Sequence, residues 1–309
     1  MDRFEAMSML VTVVDQGSLS AASRHLRVPL PTLSRKISDL EKHLGAKLLV
    51  RTTRRLALTD AGAAYVTVAR RIIDQMGEAE REAAGEFMEP KGELVLTAPI
   101  LFGRLHVLPI VADFLAQFAQ IDIRLVLSDR NAHLVDDHID MAVRIGALAD
   151  SAMIATRVGS MRMVVCAGPA LLEQYGVPKK PDDLARMPVV GFDMPAPAST
   201  WQFPAPGSVE RITVPIVPRL TVSTAEAAAD AAIRDVGVTR LMFYQVAAAV
   251  AAGRLRIVLQ TFEPAPAPIH LVHAGRGQMP LKMRRFLDFA APRLRDTLER
   301  LDPSAELVT

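Results

Sequence analysis

Apolar residues recur every three or four positions along residues 4–14, 18–26 and 31–44, and this spacing predicts three short amphipathic helices. The third repeat is the clearest, because its apolar side chains fall within about 60° of one another on a helical wheel. These residues are Leu33, Ile37, Leu40 and Leu44. Arg35 points to the opposite side of this helix, so one face can enter a core while the other offers cations and hydroxyls.

The second and third helices are separated by a short linker, residues 27–30, which is the arrangement of a helix-turn-helix motif. Gly17 ends the first helix, and Ser18 is a suitable N-cap for the second. Pro31 stands in the first turn of the third helix, where proline is tolerated. The third helix, with its polar and basic outer face, is therefore the candidate recognition helix.

A hairpin wing follows the third helix. Two apolar runs, residues 48–50 and 56–58, flank a basic tip with the sequence RTTRR. Residues 23–55 contain nine Lys/Arg and two Asp/Glu, a net of +7 in a chain whose total net charge is +2. Such a block is foldable and binds polyanions, and its wing arginines could contact phosphates or a minor groove. A solvated charged face is the alternative.

A long helix is predicted over residues 59–88, with Thr59-Asp60 as its cap. Its apolar residues form one narrow seam of Ala61, Tyr65, Val68, Ile72, Met76, Ala79, Ala83 and Phe87. A helix of this length with one seam requires a partner helix, either in a second copy or in the second domain of the same chain. Pro90 and Gly92 mark a domain boundary.

The pattern changes at Gly92 to strands that alternate with helices, which predicts parallel α/β sheets with crossover helices. The first helix of this region carries an apolar stripe of Leu105, Leu108, Ala112 and Leu115. Further helices are predicted at residues 129–137, 169–175, 225–234, 243–252 and 281–300. The length exceeds one sheet, so we interpret the proline-rich residues 263–268 as the second of two crossovers between lobes, with the first near residues 160–163.

The composition narrows the class of protein. The chain has 309 residues, half of them hydrophobic and 23% charged, which predicts two or three packed domains and excludes wholesale disorder. Its single cysteine, Cys166, cannot form an intramolecular disulfide. No window approaches the roughly 18 apolar residues of a membrane span, and the N-terminus is a poor signal peptide. We therefore expect a cytoplasmic protein that contacts no membrane.

The motifs of catalysis and of cofactor binding are missing from the sequence. The seven histidines show no zinc-ligand spacing, and the serine-hydrolase, P-loop and dinucleotide-binding patterns do not occur. Cys166 lies in an apolar run typical of an inert buried strand. We therefore expect no enzyme, no catalytic residue, no metal and no cofactor.

The run GSLSAASRHLRVPLPTLSRKISDLEKHLGAKLLVRTTRRLALTDAG resembles the winged helix-turn-helix of LysR-type transcriptional regulators, without a gap over roughly residues 1–65. The DNA-binding residues expected from this resemblance are Ser18, Pro31, Thr32, Ser34, Arg35, Arg51, Arg54 and Arg55. This chain has Leu30 where many members carry a polar residue, often Gln, which weakens the case for a hydrogen bond to a base edge there. The alternative role for Arg35 is an exposed pair with Asp39.

The resemblance also implies the architecture of the whole chain. The fold class expected is α/β overall, with an N-terminal all-α winged helix-turn-helix, a long linker helix and a two-lobed α/β domain like periplasmic binding proteins. The expected domains are DNA-binding residues 1–58, linker residues 59–90 and effector-binding residues 91–309, the last split into lobe I (about 91–161 and 268–309) and lobe II (about 162–267). Family members dimerise through the linker helix, so we expect a homodimer or homotetramer that binds double-stranded DNA.

A cleft between two such lobes is the expected place for a small-molecule effector, because strand ends and helix N-termini meet there. The expected lining residues are Ile100, Leu101, Phe102, Ser128, Arg144, Gly146, Phe192, Trp201 and Thr224. Ser128 could instead cap the next segment, Arg144 could pair with a carboxylate such as Asp140, and Trp201 could be core. Related sequences often carry a hydroxyl where this chain has Ile100-Leu101, so we expect a less polar or larger effector, or one anchored elsewhere in the cleft.

Two rival interpretations remain at this point. The first is a cytoplasmic solute-binding module without DNA-binding function, and the second is an enzyme built on the same lobes. The basic block and the absence of a signal peptide disfavour the first, and the missing motifs disfavour the second.

Overall fold

The structure is a computed structural model of the chain. It describes residues 2–51, 56–83, 89–130, 134, 137–148, 153–192, 199–207, 210–275 and 279–302. The chain divides into two units, Met1–Glu89 and Pro90–Thr309, called here the N-terminal unit and the C-terminal unit. Each unit folds around apolar side chains of its own.

Four helices and a short hairpin build the N-terminal unit. They are α1 (Arg3–Asp15), α2 (Leu19–Leu26), α3 (Leu30–Leu44), β1 (Leu49–Arg51), β2 (Leu56–Leu58) and α4 (Asp60–Ala83). Asp2 and Ser18 cap α1 and α2 by accepting hydrogen bonds from backbone N–H groups of the first turn. The last part of the linker helix expected from the sequence, with Phe87, lies outside the described residues.

The predicted apolar face of α3 forms the centre of the N-terminal core. Leu33, Ile37 and Leu40 are at most 1% exposed and pack against α1 and α2. Leu44, the last residue of the stripe, is 40% exposed, because it lies at the end of α3 beside an open depression that Phe4 and Ile72 also line.

The C-terminal unit contains twelve strands within its described residues. They are β3 (Gly92–Ala98), β4 (Ile121–Leu127), β5 (Met141–Ile145), β6 (Met153–Met161), β7 (Met163–Ala167), β8 (Val190–Phe192), β9 (Thr200–Pro204), β10 (Arg211–Pro215), β11 (Leu220–Val222), β12 (Thr239–Met242), β13 (Arg256–Val258) and β14 (Ala267–Ala274). Its α-helices are α5 (Ile100–Phe102), α6 (Leu108–Gln117), α7 (Pro169–Tyr175), α8 (Ala225–Ile233), α9 (Phe243–Ala251) and α10 (Leu281–Leu301). A π-helical turn, Gly103–Val107, joins α5 to α6.

The sheets are mixed, whereas the sequence pattern predicted parallel ones. Lobe I has the strand order β4-β3-β5-β14-β6, in which β3 is parallel to β4 and β5 while β14 is antiparallel to β5 and β6. In lobe II, β7 is antiparallel to both β12 and β13. The difference arises because β14 returns from lobe II in the opposite direction, which local periodicity does not encode.

Two predicted features of the C-terminal unit differ from the structure or lie beyond it. The stripe of Leu105, Leu108 and Ala112 is exposed, and Val107, Ile110 and Phe114 are buried instead. The π turn adds a residue to one helical turn and thereby shifts which side chains face the sheet. The helix expected at residues 129–137 lies largely outside the described residues, and its described ends form bends and turns.

The continuous helix Ile100–Gln117 has the length and mean hydropathy, 1.4, of a membrane span, contrary to the expectation that no window of the chain approaches one. Its apolar side belongs to a protein core. Phe102, Ile110 and Phe114 are at most 6% exposed among residues of the lobe I sheet and α10. This helix is therefore a core helix of lobe I in the structure.

A buried ionic cluster lies where the chain passes from lobe I to lobe II. Arg162, between β6 and β7, donates to Asp302 at 2.9 Å and to Glu263 at 3.1 Å. Its guanidinium also lies 4.9 Å from the ring centroid of Phe243, at the start of α9. Segments that are far apart in sequence are thus joined at the hinge by one charged side chain.

Candidate functional site

The first turn of α3 presents a polar and apolar surface to solvent. Pro31 and Arg35 are exposed, and Leu30 is 41% exposed, while Thr32 and Ser34 are half-buried. Pro31 and Arg35 lie on the side of α3 opposite its core stripe, and Thr32 and Ser34 flank them. The predicted recognition residues of α3 are therefore brought together on one accessible face.

Arg35 is free to contact a partner. The alternative pair with Asp39 does not form, and within the described residues Arg35 makes no hydrogen bond or ion pair. The neighbouring Lys36 is instead paired with Glu5 of α1. This contact helps to fix the rotation of α3 and so holds Arg35 outward.

Ser18, a predicted DNA contact, is the N-cap of α2. Its Oγ accepts a hydrogen bond from the backbone N–H of Ala21 at 3.1 Å, which satisfies one of the free N–H groups at the start of α2. A hydroxyl that accepts in this way still has its own hydrogen to donate, for example to a phosphate oxygen. Arg24 of α2 and Arg27 just after it are also exposed.

Only the base of the predicted wing lies within the described residues. β1 and β2 pair antiparallel, with Leu49 opposite Leu58 and Arg51 opposite Leu56. Arg54 and Arg55 lie outside the described residues, as does the side chain of Arg51. The base of the hairpin is anchored by Glu41, which sequence reasoning missed, and by the segment that begins with the predicted cap Thr59.

The first anchor is Glu41, a carboxylate at 7% exposure on α3. It accepts hydrogen bonds from the N–H groups of Leu48 and Leu49 at 3.0 and 3.1 Å, and from Lys47 Nζ at 2.7 Å. Burial raises the pKa of this carboxyl, but the hydrogen bonds from Lys47 and from the two backbone groups outweigh burial, and the net pKa is lowered. No pattern in the sequence marks Glu41, because a charged residue beside the apolar stripe is ordinarily solvated.

The second anchor is the TDAG segment at the start of α4. Thr59 Oγ1 accepts from the N–H of Gly62 at 2.9 Å and donates to the carbonyl of Lys47 at 2.6 Å. A Cβ on Gly62 would lie 2.0 Å from the carbonyl oxygen of Leu48, so only glycine permits this approach. The signal was present in the sequence as a Thr three residues before a Gly at a helix start.

The predicted effector residues of lobe I include two that belong to its core. Leu101 is 5% exposed and Phe102 is 0% exposed, so neither offers surface to a ligand in this conformation, contrary to the expectation. The Phe102 ring instead contacts His106 and Tyr244, with centroids 4.9 and 5.3 Å away. Ile100 is half-buried and donates its backbone N–H to Asp129 Oδ1 at 3.0 Å.

The predicted hydroxyl ligands are bonded to their own backbone. Ser128 Oγ accepts from the N–H of Arg130 at 3.1 Å, and Thr224 Oγ1 accepts from the N–H of Ala227 as the N-cap of α8 at 3.2 Å. Local capping is the alternative already given for Ser128, and the structure adds the same role for Thr224.

The remaining predicted cleft residues are spread over both lobes. Arg144 is half-buried opposite His270 in the lobe I sheet, and burial lowers the pKa of its guanidinium. Gly146 follows β5 at φ +105°, with open space where a Cβ would stand. Phe192 is half-buried at the end of β8. Trp201 is 7% exposed in the lobe II core with Phe203, so the structure places it in packing rather than on a cleft wall.

The two lobes meet through α5, the π turn, α8 and α9. Arg104 of the π turn lies 3.5 Å from Glu226 of α8, and Phe102 is edge-on to Tyr244 of α9. Gly103 permits the close packing of this segment, since a Cβ there would lie 2.3 Å from Leu127 Cδ2. The ion pair and the aromatic contact therefore join the two lobes at this point.

Cys166 and the metal-ligating side chains were also singled out in the sequence. Cys166 is fully buried, and burial raises the pKa of its thiol to about 12, which leaves it protonated at neutral pH. Among the described residues no group of three or more His, Cys, Asp or Glu side chains could hold a metal ion.

A helix-turn-helix with an exposed basic recognition helix, followed by a two-lobed α/β unit, defines a ligand-responsive DNA-binding protein. Residues 4–63 match the family described as bacterial regulatory helix-turn-helix protein, lysR family, and residues 88–295 match the LysR substrate binding domain. The chain belongs to the LysR-type transcriptional regulators.

Named relatives span nearly the whole chain. An HTH-type transcriptional repressor of Pseudomonas aeruginosa is 32% identical over 94% of this chain and 91% of its own length. CrgA of Neisseria meningitidis, an HTH-type transcriptional regulator, is 31% identical over 95% and 98%. The solved CrgA structure, at 30% identity, covers 94% of this chain and 98% of its own, with a TM-score of 0.59. The full-length Vibrio cholerae virulence activator AphB, 23% identical over 93% of this chain and 97% of its own, shares the fold with a TM-score of 0.58.

Proposed function

We propose that this regulator binds double-stranded DNA through the first turn of α3, with Pro31, Thr32, Ser34 and Arg35 at the bases and phosphates and Ser18 at a phosphate. The carrying observation is that Arg35 is exposed and unpaired within the described residues, on a helix whose other face is locked into a core. The N-terminal residues of a recognition helix are those that reach base edges in the major groove. The wing residues Arg51, Arg54 and Arg55 add contacts to phosphates or the minor groove.

The linker helix α4 joins two copies of the chain in this proposal. Ile72 and Met76, on the predicted seam, are 40% and 47% exposed within the N-terminal unit. Phe4 and Leu44 add exposed apolar surface at the depression beside α4. A second copy would bury these side chains, and its two-fold symmetry would place two recognition helices on half-sites about one helical turn apart or multiples of it.

The effector site of the proposal is the cleft between the lobes. The Arg104–Glu226 ion pair and the Phe102–Tyr244 contact connect the lobes there, so a ligand that enters would change their relative position. Such a protein acts in the cytoplasm, where its DNA is, and by binding rather than by catalysis. The predicted residues Ser128, Arg144, Gly146, Phe192 and Thr224 remain candidates for the wall of this cleft.

The test is fluorescence anisotropy on DNA from immediately upstream of the protein's own coding region and on scrambled DNA, across a salt series. We expect tighter binding to the upstream fragment, and Arg35→Ala should weaken that specific binding by about 1–3 kcal/mol. Arg254→Ala, which removes an exposed arginine of the C-terminal unit, is the matched control and should leave the affinity unchanged.

Two other outcomes of the anisotropy experiment would change the interpretation. An equal loss on both DNAs would make Arg35 a phosphate contact, because phosphate contacts carry no sequence information. Wild-type protein that binds neither DNA would contradict the proposal and favour a solute-binding module.

A further inference from the structure

The turn between α2 and α3 contains a residue with a strained backbone. Arg27, the residue after α2, has φ 53° and ψ 38°, in the left-handed region that residues with a Cβ rarely adopt. The helices α1, α3 and α9 are also followed, within two residues of their ends, by a residue at positive φ, but there it is a glycine: Gly17, Gly45 and Gly253. A glycine in place of Arg27 would relieve the strain, so the arginine requires a reason other than backbone geometry.

Among the described residues, the other non-glycine positions at positive φ have side chains that serve the interior. Asp235 Oδ1 accepts the N–H of Leu171 at 2.9 Å, Leu259 is 7% exposed in the lobe II core, and His138 is half-buried. Arg27 is exposed, and within the described part of the chain its guanidinium makes no hydrogen bond or ion pair. Strained residues cluster at functional sites, where a ligand uses what the fold does not.

The end of α2 does not require this arginine. A cation near the C-terminus of a helix is favourable, but the last turn of α2 already carries Arg24 and His25. The turn is closed by the backbone, because the N–H of Val28 donates to the carbonyl of Ser23 at 3.1 Å and the N–H of Arg27 to the carbonyl of Arg24 at 3.3 Å. These contacts fix the position of Arg27 without using its side chain.

The strained turn leads directly into the proposed recognition helix. Arg27 is two residues before Pro29, the N-cap of α3, so their Cα atoms are at most about 7.6 Å apart. In the proposed function the first turn of α3 lies in a major groove about 12 Å wide, which is bordered by the phosphates of both strands. A long cationic side chain so close to the start of α3 is suited to a phosphate, which a guanidinium can bind with two parallel hydrogen bonds.

We propose that Arg27 binds a phosphate of the DNA backbone, and that the chain keeps an arginine in this turn although a glycine would be more stable there. This inference rests on the proposed function, in which α3 enters the groove. Arg27 is not among the DNA contacts expected from the family resemblance. Because a phosphate contact carries no sequence information, Arg27 adds affinity for DNA and not specificity.

The first experiment measures the thermal unfolding of the full chain by circular dichroism. Arg27→Gly removes the strain, so we expect its melting temperature to exceed that of the wild type by about 1–3 °C. Arg27→Lys keeps the strain and should melt with the wild type. Arg254→Gly is the matched control, because Arg254 is also exposed shortly after a helix, α9, but is not at positive φ. It should melt below the wild type, since its glycine relieves no strain.

The second experiment measures the anisotropy of the upstream and scrambled DNA with each variant across a salt series. Arg27→Gly should bind both DNAs more weakly than the wild type, by the same factor of severalfold at low salt. Its slope of log K against log salt should be smaller by about one, because one phosphate contact is lost. Arg27→Lys should keep the wild-type slope, since lysine is also a cation, and Arg254→Gly should keep both the slope and the affinity.

Higher stability combined with weaker DNA binding is a result that an arginine with a purely structural role would not give. A wild-type salt slope in Arg27→Gly would overturn the proposal. So would a loss confined to the upstream fragment, which would make Arg27 a base contact. Arg27→Gly that melts below the wild type would show that the folded protein itself uses this side chain, and would overturn the proposal as well.

The proposed function and the role of Arg27 can fail separately. Wild-type protein that binds neither DNA would defeat both, whatever the melting temperatures are. Wild-type protein that prefers the upstream fragment, together with Arg27→Gly that matches it in affinity and slope, would defeat only the role of Arg27.

Discussion

The two predicted sites of this protein differ in whether their polar side chains are already hydrogen-bonded. At the start of α3, Arg35 is exposed and makes no ion pair within the described residues, although Asp39 is four residues away. At the cleft, Ser128 and Thr224 are each bonded to a nearby backbone N–H, and Leu101 lies in a core. The DNA-binding face is therefore ready for a ligand as folded, while the cleft has satisfied its own polar groups. A ligand that uses the hydroxyl groups of the cleft would therefore have to compete with the backbone N–H groups bonded to them.

The largest effect is expected from Gly62→Ala. The added Cβ would lie 2.0 Å from the Leu48 carbonyl oxygen, so the start of α4 and β1 must separate. Overpacking of this kind costs about 1–3 kcal/mol or more, and we expect the upper end because the obstacle is backbone. Denaturant unfolding would measure the loss. Gly45→Ala serves for comparison, because its Cβ would meet no atom within 4 Å and its cost comes from the positive φ of +66° alone. A loss in Gly62→Ala no larger than that in Gly45→Ala would contradict the packing argument.

A smaller loss is expected from Glu41→Gln, which removes the charge that holds the base of the wing. Hydrogen bonds to charged groups contribute about 1.5–3 kcal/mol to stability. We therefore expect Glu41→Gln to lower the free energy of unfolding by about 2 kcal/mol at pH 7. Because the folded pKa of Glu41 is lowered from 4.5, its contribution is complete above that value and disappears as pH falls through the folded pKa.

The pH dependence gives the check on Glu41. Stability of wild type and variant should converge as the pH falls below about 4, the ordinary range of a glutamate. A difference that stays constant with pH would show that the carboxylate charge is not the cause. Glu93→Gln, at an exposed glutamate of β3, serves as the control.

Two N-cap hydroxyls offer a direct comparison of the regions. Ser18→Ala and Thr224→Ala each remove a cap and should each cost about 1 kcal/mol of stability. Only Ser18→Ala should also weaken DNA binding, because in the proposed function its hydroxyl contacts a phosphate. A DNA affinity changed equally by both would show that the effect is stability and not contact.

The smallest effect is expected at Leu30, whose exposed side chain lies at the start of α3. An apolar side chain at a base edge can contact the methyl group of thymine. Uracil lacks the methyl group of thymine. At one thymine of the bound fragment, replacement by uracil should weaken DNA binding by the wild type severalfold. The same replacement should not change DNA binding by Leu30→Gln. Wild-type protein insensitive to every such replacement would remove Leu30 from the base contacts.

Much of the N-terminal unit could be predicted because its signals are local. The stripe of Leu33, Ile37 and Leu40 fixed α3 and its core face, and the caps of α2 and α4 follow from Ser18 and Thr59. The role of Glu41 was not predicted, because its partners are backbone N–H groups of Leu48 and Leu49, which approach it only in the folded chain.

The C-terminal unit could be predicted only in part because its determinants are not local. The helices at α7 to α10 agree with the sequence pattern within a residue, whereas the mixed strand order of the sheets was not foreseen. The antiparallel return of β14 depends on the order of the lobes. The π turn at Gly103–Val107 changed which side of the following helix is buried.

The burial of Trp201 has an optical consequence. It is the single tryptophan of the chain and lies in the lobe II core. Tryptophan emission excited at its own absorption edge therefore reports the integrity of that lobe and is blind to the N-terminal unit. Circular dichroism, to which the helices of both units contribute, would follow the rest, so the two signals together can show whether the regions of this regulator melt as one or in sequence.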